Sequence, residues 1–231
     1  MKGKYKLPTI LLLFSCISCG TSADTYLEEG RGAADKGNYQ SAITLLDKAI
    51  EKKPALKEAY LLKGFCYVDL GQADKAIISY QKLLSIDPKN TSAFYYIGMC
   101  KYDQDKFKEA IEYYNKAAIT KNAFSSDSIV PRGGIDLVKN GLVGEQPDFD
   151  IPSYEICYQR GLAFYKAEQI KNAYDDFAYC VEEGYQLGES YYMEGLCWLW
   201  ANKKDKACKA FQMGVVYGDS LSMEQVSRTC R

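Results

Sequence analysis

The chain has no histidine anywhere in its 231 residues. That removes the commonest general base and the commonest metal ligand at neutral pH, so Ser-His-Asp and Cys-His mechanisms and His-based zinc sites are excluded. An excess of basic charge is missing too: 29 Lys and Arg meet 30 Asp and Glu, for a formal net charge of −1. Phosphate binding needs a concentrated basic face, so nucleic acid is a poor partner. The apolar run near the N-terminus, Leu7 to Phe14, is too short to span a bilayer. Proline is scarce at six residues, whereas tyrosine is abundant at 20 and cysteine occurs nine times. The length accommodates one extended domain or two small compact ones.

The N-terminal run has another meaning. Lys2, Lys4 and Lys6 precede it, and a positive start followed by a short apolar stretch is the pattern of an export signal. It closes on Leu13-Phe14-Ser15-Cys16, which resembles a bacterial lipobox, with Leu three before the cysteine and a small residue just before it. The resemblance implies that residues 1–15 are removed, that the Cys16 thiol is the nucleophile joined to a lipid, and that 16–22 tether the domain to the membrane. Cys19 after Ser18 is an alternative acceptor, although Cys16 then stands where Leu is expected. An ordinary secretory signal cut near Ala23 is a third reading. All three export the mature protein, and the lipobox implies a bacterial outer-membrane lipoprotein facing the periplasm. Removal of 1–15 takes three lysines and no acid, so 26 basic residues face 30 acidic ones, a net charge of about −4.

Self-similarity governs the rest of the sequence. Gly30, Gly64 and Gly98 are 34 residues apart, as are Gly161 and Gly195. Twelve residues after each glycine stands an alanine: Ala42, Ala76, Ala110, Ala173 and Ala207. Four before it come Tyr26, Tyr60, Phe94, Cys157 and Tyr191, and sixteen after it Leu46, Tyr80, Tyr114, Phe177 and Phe211. Two units close on proline at one offset, Pro54 and Pro88. This register resembles the tetratricopeptide repeat, with its aromatic, Gly, Tyr, Ala, Phe and Pro at fixed offsets, and covers most of residues 23–219. The resemblance implies an all-α solenoid of five helical hairpins, each needing a neighbour to bury its apolar face. Glycine on the first helix and alanine on the second are expected to let the two backbones approach closely.

Two departures shape the domain plan. Gly98 and Gly161 are 63 residues apart, 29 more than one repeat. The excess, residues 123–153, carries Ser125-Ser126-Asp127-Ser128, Pro131-Arg132-Gly133-Gly134, Pro147 and Pro152, and reads as a long loop with a short helix near Ile135–Asn140. It is either a partner-contacting flap or a spacer. The last two repeats lack the closing proline and run through Glu183-Gly184-Tyr185 and Tyr217-Gly218-Asp219, which resembles Sel1-like repeats. The expected order is three repeats over 23–122, the insertion, two repeats over 154–219, and a capping helix over 220–231.

Five cysteines fall into slots that other repeats fill with small or apolar residues: Cys66, Cys100 and Cys197 two after the glycine, with Cys157 and Cys180 in similar places. They read as buried small hydrophobes. Cys208 and Cys230 differ, because they lie on the last second helix and on the cap, elements that must pack together. A bridge between them would pin a fraying end, and similar terminal cysteines occur in Sel1-like relatives. No Cys-x-x-Cys lies in the mature domain, so neither a metal nor a cofactor is expected.

In stacked hairpins the first helices line the concave side. The candidate groove positions are Leu27, Leu61, Tyr95, Tyr158 and Tyr192 three before the glycine, and Arg31, Phe65, Met99, Leu162 and Leu196 one after it. Tyr102, Asp103, Tyr165, Lys166 and Trp200 follow four and five after. Aromatic side chains concentrate interface energy, so this composition suits a peptide or helix partner. Some tetratricopeptide proteins clamp a peptide carboxylate with Lys and Asn, but the matching positions here are Leu27, Leu61, Tyr95, Arg31, Phe65 and Met99, so that clamp is absent. The acidic residues read as scattered over solvated helix faces. The expected function is a non-catalytic protein-binding module on an exported, membrane-anchored lipoprotein. The alternatives are a fixed subunit of an envelope secretion or outer-membrane assembly complex, and an enzyme using carboxylates or a cysteine.

Overall fold

The computed structural model describes residues 21–121 and 151–230. The signal segment, Cys16, Cys19 and the helix expected near Ile135–Asn140 lie outside the described residues, as does nearly all of the 123–153 insertion. Among the described residues there are eleven helices and no strand. They pair as hairpins: α1 (Ala23–Ala34) with α2 (Tyr39–Lys52), α3 (Lys57–Asp69) with α4 (Ala73–Ile86), and α5 (Thr91–Asp103) with α6 (Phe107–Thr120). Then follow α7 (Ser153–Lys166) with α8 (Ile170–Glu182), α9 (Leu187–Trp200) with α10 (Lys204–Val216), and a final α11 (Ser220–Thr229).

The five hairpin turns share one geometry. Seven residues after each register glycine, the backbone swings to positive φ, at Gly37 (74°), Gly71 (69°), Asp105 (56°), Glu168 (60°) and Asn202 (56°). That residue donates its N–H to the carbonyl three back and the next residue donates to the carbonyl five back, as in Asn38 to Ala33 and Gln169 to Phe164. This is a Schellman closure, which satisfies carbonyls that the helix end leaves orphaned. Glycine meets the requirement without steric cost, and Glu168 meets it against the preference of a side chain. The same closure ends α8 at Gly184 and α10 at Gly218. It stands where α2 and α4 end before Pro54 and Pro88, and it accounts for the missing prolines of the last two repeats.

The register glycines make room for a ring rather than for a backbone. A Cβ built on Gly64 would clash with the edge of the Tyr80 ring, and one on Gly195 with the edge of the Phe211 ring; on Gly98 it would lie 2.7 Å from the Tyr114 ring. Each first helix therefore carries a notch into which the large residue sixteen positions on is inserted. Tyr80, Tyr114, Phe177 and Phe211 are fully buried as a result, and burying a ring of this size contributes roughly 2–3 kcal/mol. The fit is looser at Gly30, where the nearest atom belongs to Leu46 at 3.1 Å, and at Gly161, where it belongs to Phe177 at 3.0 Å.

Packing continues across the insertion. One buried cluster joins Ala110, Tyr114 and Ala117 of α6 to Ile156, Ala163 and Phe164 of α7, and reaches Met193 and Cys197 on α9. Two smaller clusters serve hairpins one and two, and hairpins two and three. The α6–α7 junction also carries polar ties. Tyr95 donates its hydroxyl to Glu155 at 2.9 Å, and Arg160 donates to Asn115 at 3.0 Å. Arg160 is buried with Asp176 in a two-pronged pair at 2.8 and 2.6 Å. Burial alone would lower the Arg160 pKa, but the Asp176 carboxylate outweighs it and holds the guanidinium charged.

At the far end, α11 occupies the place of a sixth first helix. Gln225, Arg228 and Thr229 stand where α9 has Tyr191, Glu194 and Gly195. The glycine notch is absent there, and α11 leaves Leu221 and Met223 exposed. Ser222 seats α11 against Gly214, where an added Cβ would overlap the Ser222 hydroxyl. A disulfide joins Cys208 to Cys230, with Cα atoms 5.5 Å apart.

Candidate peptide-binding face

First helices of successive hairpins touch one another: α1 meets α3, α5 meets α7, and α9 meets α11. They form one layer of the stack, the layer that lines the concave side in solenoids of stacked hairpins. Equivalent residues on them, 34 apart in the sequence, consequently align in rows along the inner face.

The row one residue after the glycine is the floor of this face. Arg31, Phe65, Met99, Leu162 and Leu196 are all partly exposed. The next member of the row is Cys230, so the floor ends in the disulfide. Tyr102 and Tyr165 flank the floor, partly exposed, and Trp200 stands 59% exposed at the C-terminal end. Asp103 and Lys166 are exposed at the turn edge.

The row three before the glycine does not belong to this face. Leu27, Leu61, Tyr95 and Tyr158 are buried, at 5, 4, 2 and 9% exposure, and only Tyr192 is partly open. The physical reason is packing against the second helix of the same hairpin and the start of the next hairpin. Tyr95 packs edge-on to Tyr96 and tilted on Tyr114 while its hydroxyl reaches Glu155 on α7. Tyr158 packs edge-on to Phe177 and Tyr185. Leu61 lies in one cluster with Tyr80 and Ile97. These side chains hold hairpin to hairpin and offer nothing to a partner.

One further row was not singled out from the sequence, and another was read only at Asp103, Lys166 and Trp200. Six before the glycine stand Asp24, Glu58, Ser92, Glu155 and Glu189, and five after it Asp35, Asp69, Asp103, Lys166 and Trp200. Carboxylates therefore line both edges of the apolar floor. They were legible as a 34-residue period of Asp and Glu, which a search confined to apolar and glycine positions passes over. A recess of about 670 Å³ opens at the turn edge between hairpins two and three, lined by Val68, Asp74, Lys75, Cys100, Asp103 and Gln104 among others. Burial pushes the Asp103 carboxyl above its usual range, with no cation near enough to oppose it.

Among the described residues the unbridged cysteines, Cys66, Cys100, Cys157, Cys180 and Cys197, are all buried. Burial first, then neighbouring carboxylates, raises Cys66 and Cys100 to about 11, and Cys197 to about 12. Cys157 is likewise raised to about 12, and Cys180 is raised further. Thiols held so far above neutral pH have no thiolate character, which a nucleophilic cysteine requires. Among the described residues no cluster of Cys, Asp and Glu is arranged to hold a metal, and no helix is long and apolar enough to cross a membrane.

Comparison with known proteins places the fold. Residues 35–117 match the family model described as anaphase-promoting complex, cyclosome, subunit 3. No curated protein matches in sequence. Among solved structures, MamA aligns at 18% identity and a TM-score of 0.66 over 89% of this chain and 94% of its own. YrrB, described as a TPR protein with an unusual peptide-binding site, aligns at 18% identity and 0.67 over 90% and 92%. Pseudomonas aeruginosa PilF aligns at 17% identity and 0.62 over 86% and 77%. With the five-fold register and the hairpin stack, these show a solenoid of stacked helical hairpins like that of tetratricopeptide-repeat proteins. Its fold is that of an α-solenoid.

Proposed function

We propose that this protein binds a peptide or helical segment of another protein along its inner face, without catalysis, while tethered to a membrane by an N-terminal lipid on Cys16. The observation that carries the first half is the continuous floor of partly exposed Phe65, Met99, Leu162 and Leu196, flanked by Tyr102, Tyr165 and Trp200. Large side chains half open to solvent at the base of a groove gain burial when a partner covers them, and lose few rotamers in doing so. The peptide-binding site named for YrrB supports the same use of this fold. For the second half the support is the lipobox-like Leu13-Phe14-Ser15-Cys16, with Cys19 as the alternative acceptor. A disulfide between Cys208 and Cys230 suits an oxidising compartment outside the cytoplasm.

Affinity purification from the native membrane, with the wild type beside a Phe65→Ala/Tyr165→Ala/Trp200→Ala variant, tests the groove. A partner that survives the triple change with the fold intact would count against it. Tyr95 and Tyr158 are unsuitable for this purpose, because their truncation opens the core. Mass spectrometry of the mature N-terminus tests the anchor: a diacylglyceryl mass on Cys16 or Cys19 is expected, and an unmodified terminus near Ala23 would refute it.

A further inference from the structure

We infer that the inner groove is built for a cationic amphipathic segment, one whose large apolar side chains lie along a stripe flanked by Lys or Arg. This rests on the groove-binding reading above and adds the chemistry of the partner.

The inner face is charged very differently from the chain as a whole. The protein is near neutral, yet the two rows beside the apolar floor hold Asp24, Glu58, Glu155 and Glu189 on one edge and Asp35, Asp69 and Asp103 on the other. The cations in the floor and edge rows are Arg31 and Lys166. Arg31 is already taken up by Glu58 and Glu28. Among the described residues no ion pair neutralises Asp35, Asp69, Asp103 or Glu189.

Helix stability explains only one of the two edges. Asp24, Glu58, Glu155 and Glu189 lie in the first turns of α1, α3, α7 and α9, where the helix dipole favours a carboxylate. Asp35, Asp69 and Asp103 lie at the opposite ends, where α1, α3 and α5 terminate. There the dipole is negative and a carboxylate is disfavoured. An acid repeated three times against its local preference, in the three hairpins of one block, answers to something other than the helix. Asp103 stands at the 670 Å³ recess beside Val68, and its partial desolvation without a counter-charge is relieved by an incoming cation. The floor supplies the apolar half of the complement and the edges supply the charge. Complementary charge of this kind raises association rates and rejects partners of the wrong sign.

The test uses three pools of synthetic fluorescent peptides about 18 residues long, each with Leu, Phe and Tyr at helical spacing. The remaining positions are Lys/Arg, Asn/Gln or Asp/Glu. Anisotropy titrations against the full chain are run at about 50 and about 200 mM salt, across which surface electrostatics weaken. The cationic pool is expected to bind at least about tenfold tighter than the anionic pool at the lower salt and to lose most of that advantage at the higher. An Asp69→Asn/Asp103→Asn/Glu189→Gln variant, folded by circular dichroism, is expected to lose the cationic preference and keep its affinity for the neutral pool. Equal or tighter binding of the neutral or anionic pool overturns the charge assignment while leaving the groove in place, provided Phe65→Ala/Trp200→Ala abolishes it. Cationic binding unchanged in the carboxamide variant overturns it also, since the contact then lies elsewhere. Binding of no pool overturns both the charge assignment and the groove reading.

Discussion

The first three hairpins and the last two solve one packing problem by different means. In the first block the ties between helices are repeated apolar insertions, and the ion pairs sit near solvent: Lys63 with Asp47, Lys57 with Asp87, Lys101 with Glu109. In the second block the ties are individual: a buried guanidinium–carboxylate pair and a disulfide. A repeated tie can be weakened in one place and shared out among neighbours. An individual tie cannot, so the two blocks should differ most when single residues are removed.

The largest difference is expected at Arg160. Replacing it with Leu leaves Asp176 buried without its partner, which costs about 3–5 kcal/mol. Replacing Lys63, the residue at the same register position in the first block, with Met should cost less than about 1 kcal/mol, because that pair is open to solvent. Urea unfolding of the two variants checks the contrast. A combined Arg160→Met/Asp176→Leu change is expected to recover most of the loss, since the penalty comes from the orphaned charge. Loss undiminished in the double variant would mean that the Asn115 contact or the ring of Phe164 carries the stability instead.

Next comes the disulfide. It closes a loop of 22 residues, and removing a bridge of that span typically costs about 2–4 kcal/mol. Cys208→Ser/Cys230→Ser should lower the unfolding midpoint of the second block and raise hydrogen exchange in α10 and α11, with α1 to α4 unchanged. Solenoid stability is a sum of local terms, so the damage stays near its source. Exchange that rises evenly along the chain would show the two blocks to be one cooperative unit.

The stack was open to reading from the sequence because its rule is strict. A notch that admits a bulky side chain leaves little room for a Cβ, so Gly30, Gly64, Gly98, Gly161 and Gly195 recur at one offset, and the order of hairpins follows from them. The role of the glycine was less open, since only the coordinates show that Tyr80 and Phe211 fill the notch. For the binding face the sequence divided the inner-helix residues into rows but not into inside and outside. Leu61, Tyr95 and Tyr158 look like contact residues by type. What buries them is the second helix of their own hairpin together with the next hairpin, an arrangement of chain segments that no local pattern encodes. Arg160 with Asp176 was equally hidden, for a charged residue at one register position says nothing of whether a carboxylate meets it in the core.

A smaller and pH-dependent effect separates the blocks at Glu194. Burial, and then the nearby Glu182, raises its carboxyl to about 7. A group that binds its proton more tightly folded than unfolded stabilises the fold while protonated. That stability is fully present below the ordinary glutamate range and is lost as pH rises towards 7. Glu194→Gln is expected to stabilise the second block at pH 8 by on the order of 1 kcal/mol, and to change it little at pH 4. Thermal melts at the two pH values check this. An equal effect at both would place the carboxylate in solvent and remove it from the comparison.

The least effect is expected where the two blocks fill the same notch with different rings. Tyr80 and Tyr114 fill it in the first block, and Phe177 and Phe211 in the second. The two tyrosine hydroxyls are buried without a hydrogen-bond partner among the described residues. Their pKa values are raised well above the ordinary tyrosine range, chiefly by that burial. A hydroxyl withdrawn from water and given no partner is a cost that the phenylalanine of the second block does not carry. Tyr80→Phe and Tyr114→Phe should therefore each be neutral or stabilising, by up to about 1 kcal/mol, in urea unfolding. The reverse changes, Phe177→Tyr and Phe211→Tyr, should each destabilise by a similar or larger amount. If the tyrosines instead prove worth more than phenylalanine, the first block must satisfy their hydroxyls in solution, and the contrast of apolar ties in one block with polar ties in the other would no longer hold.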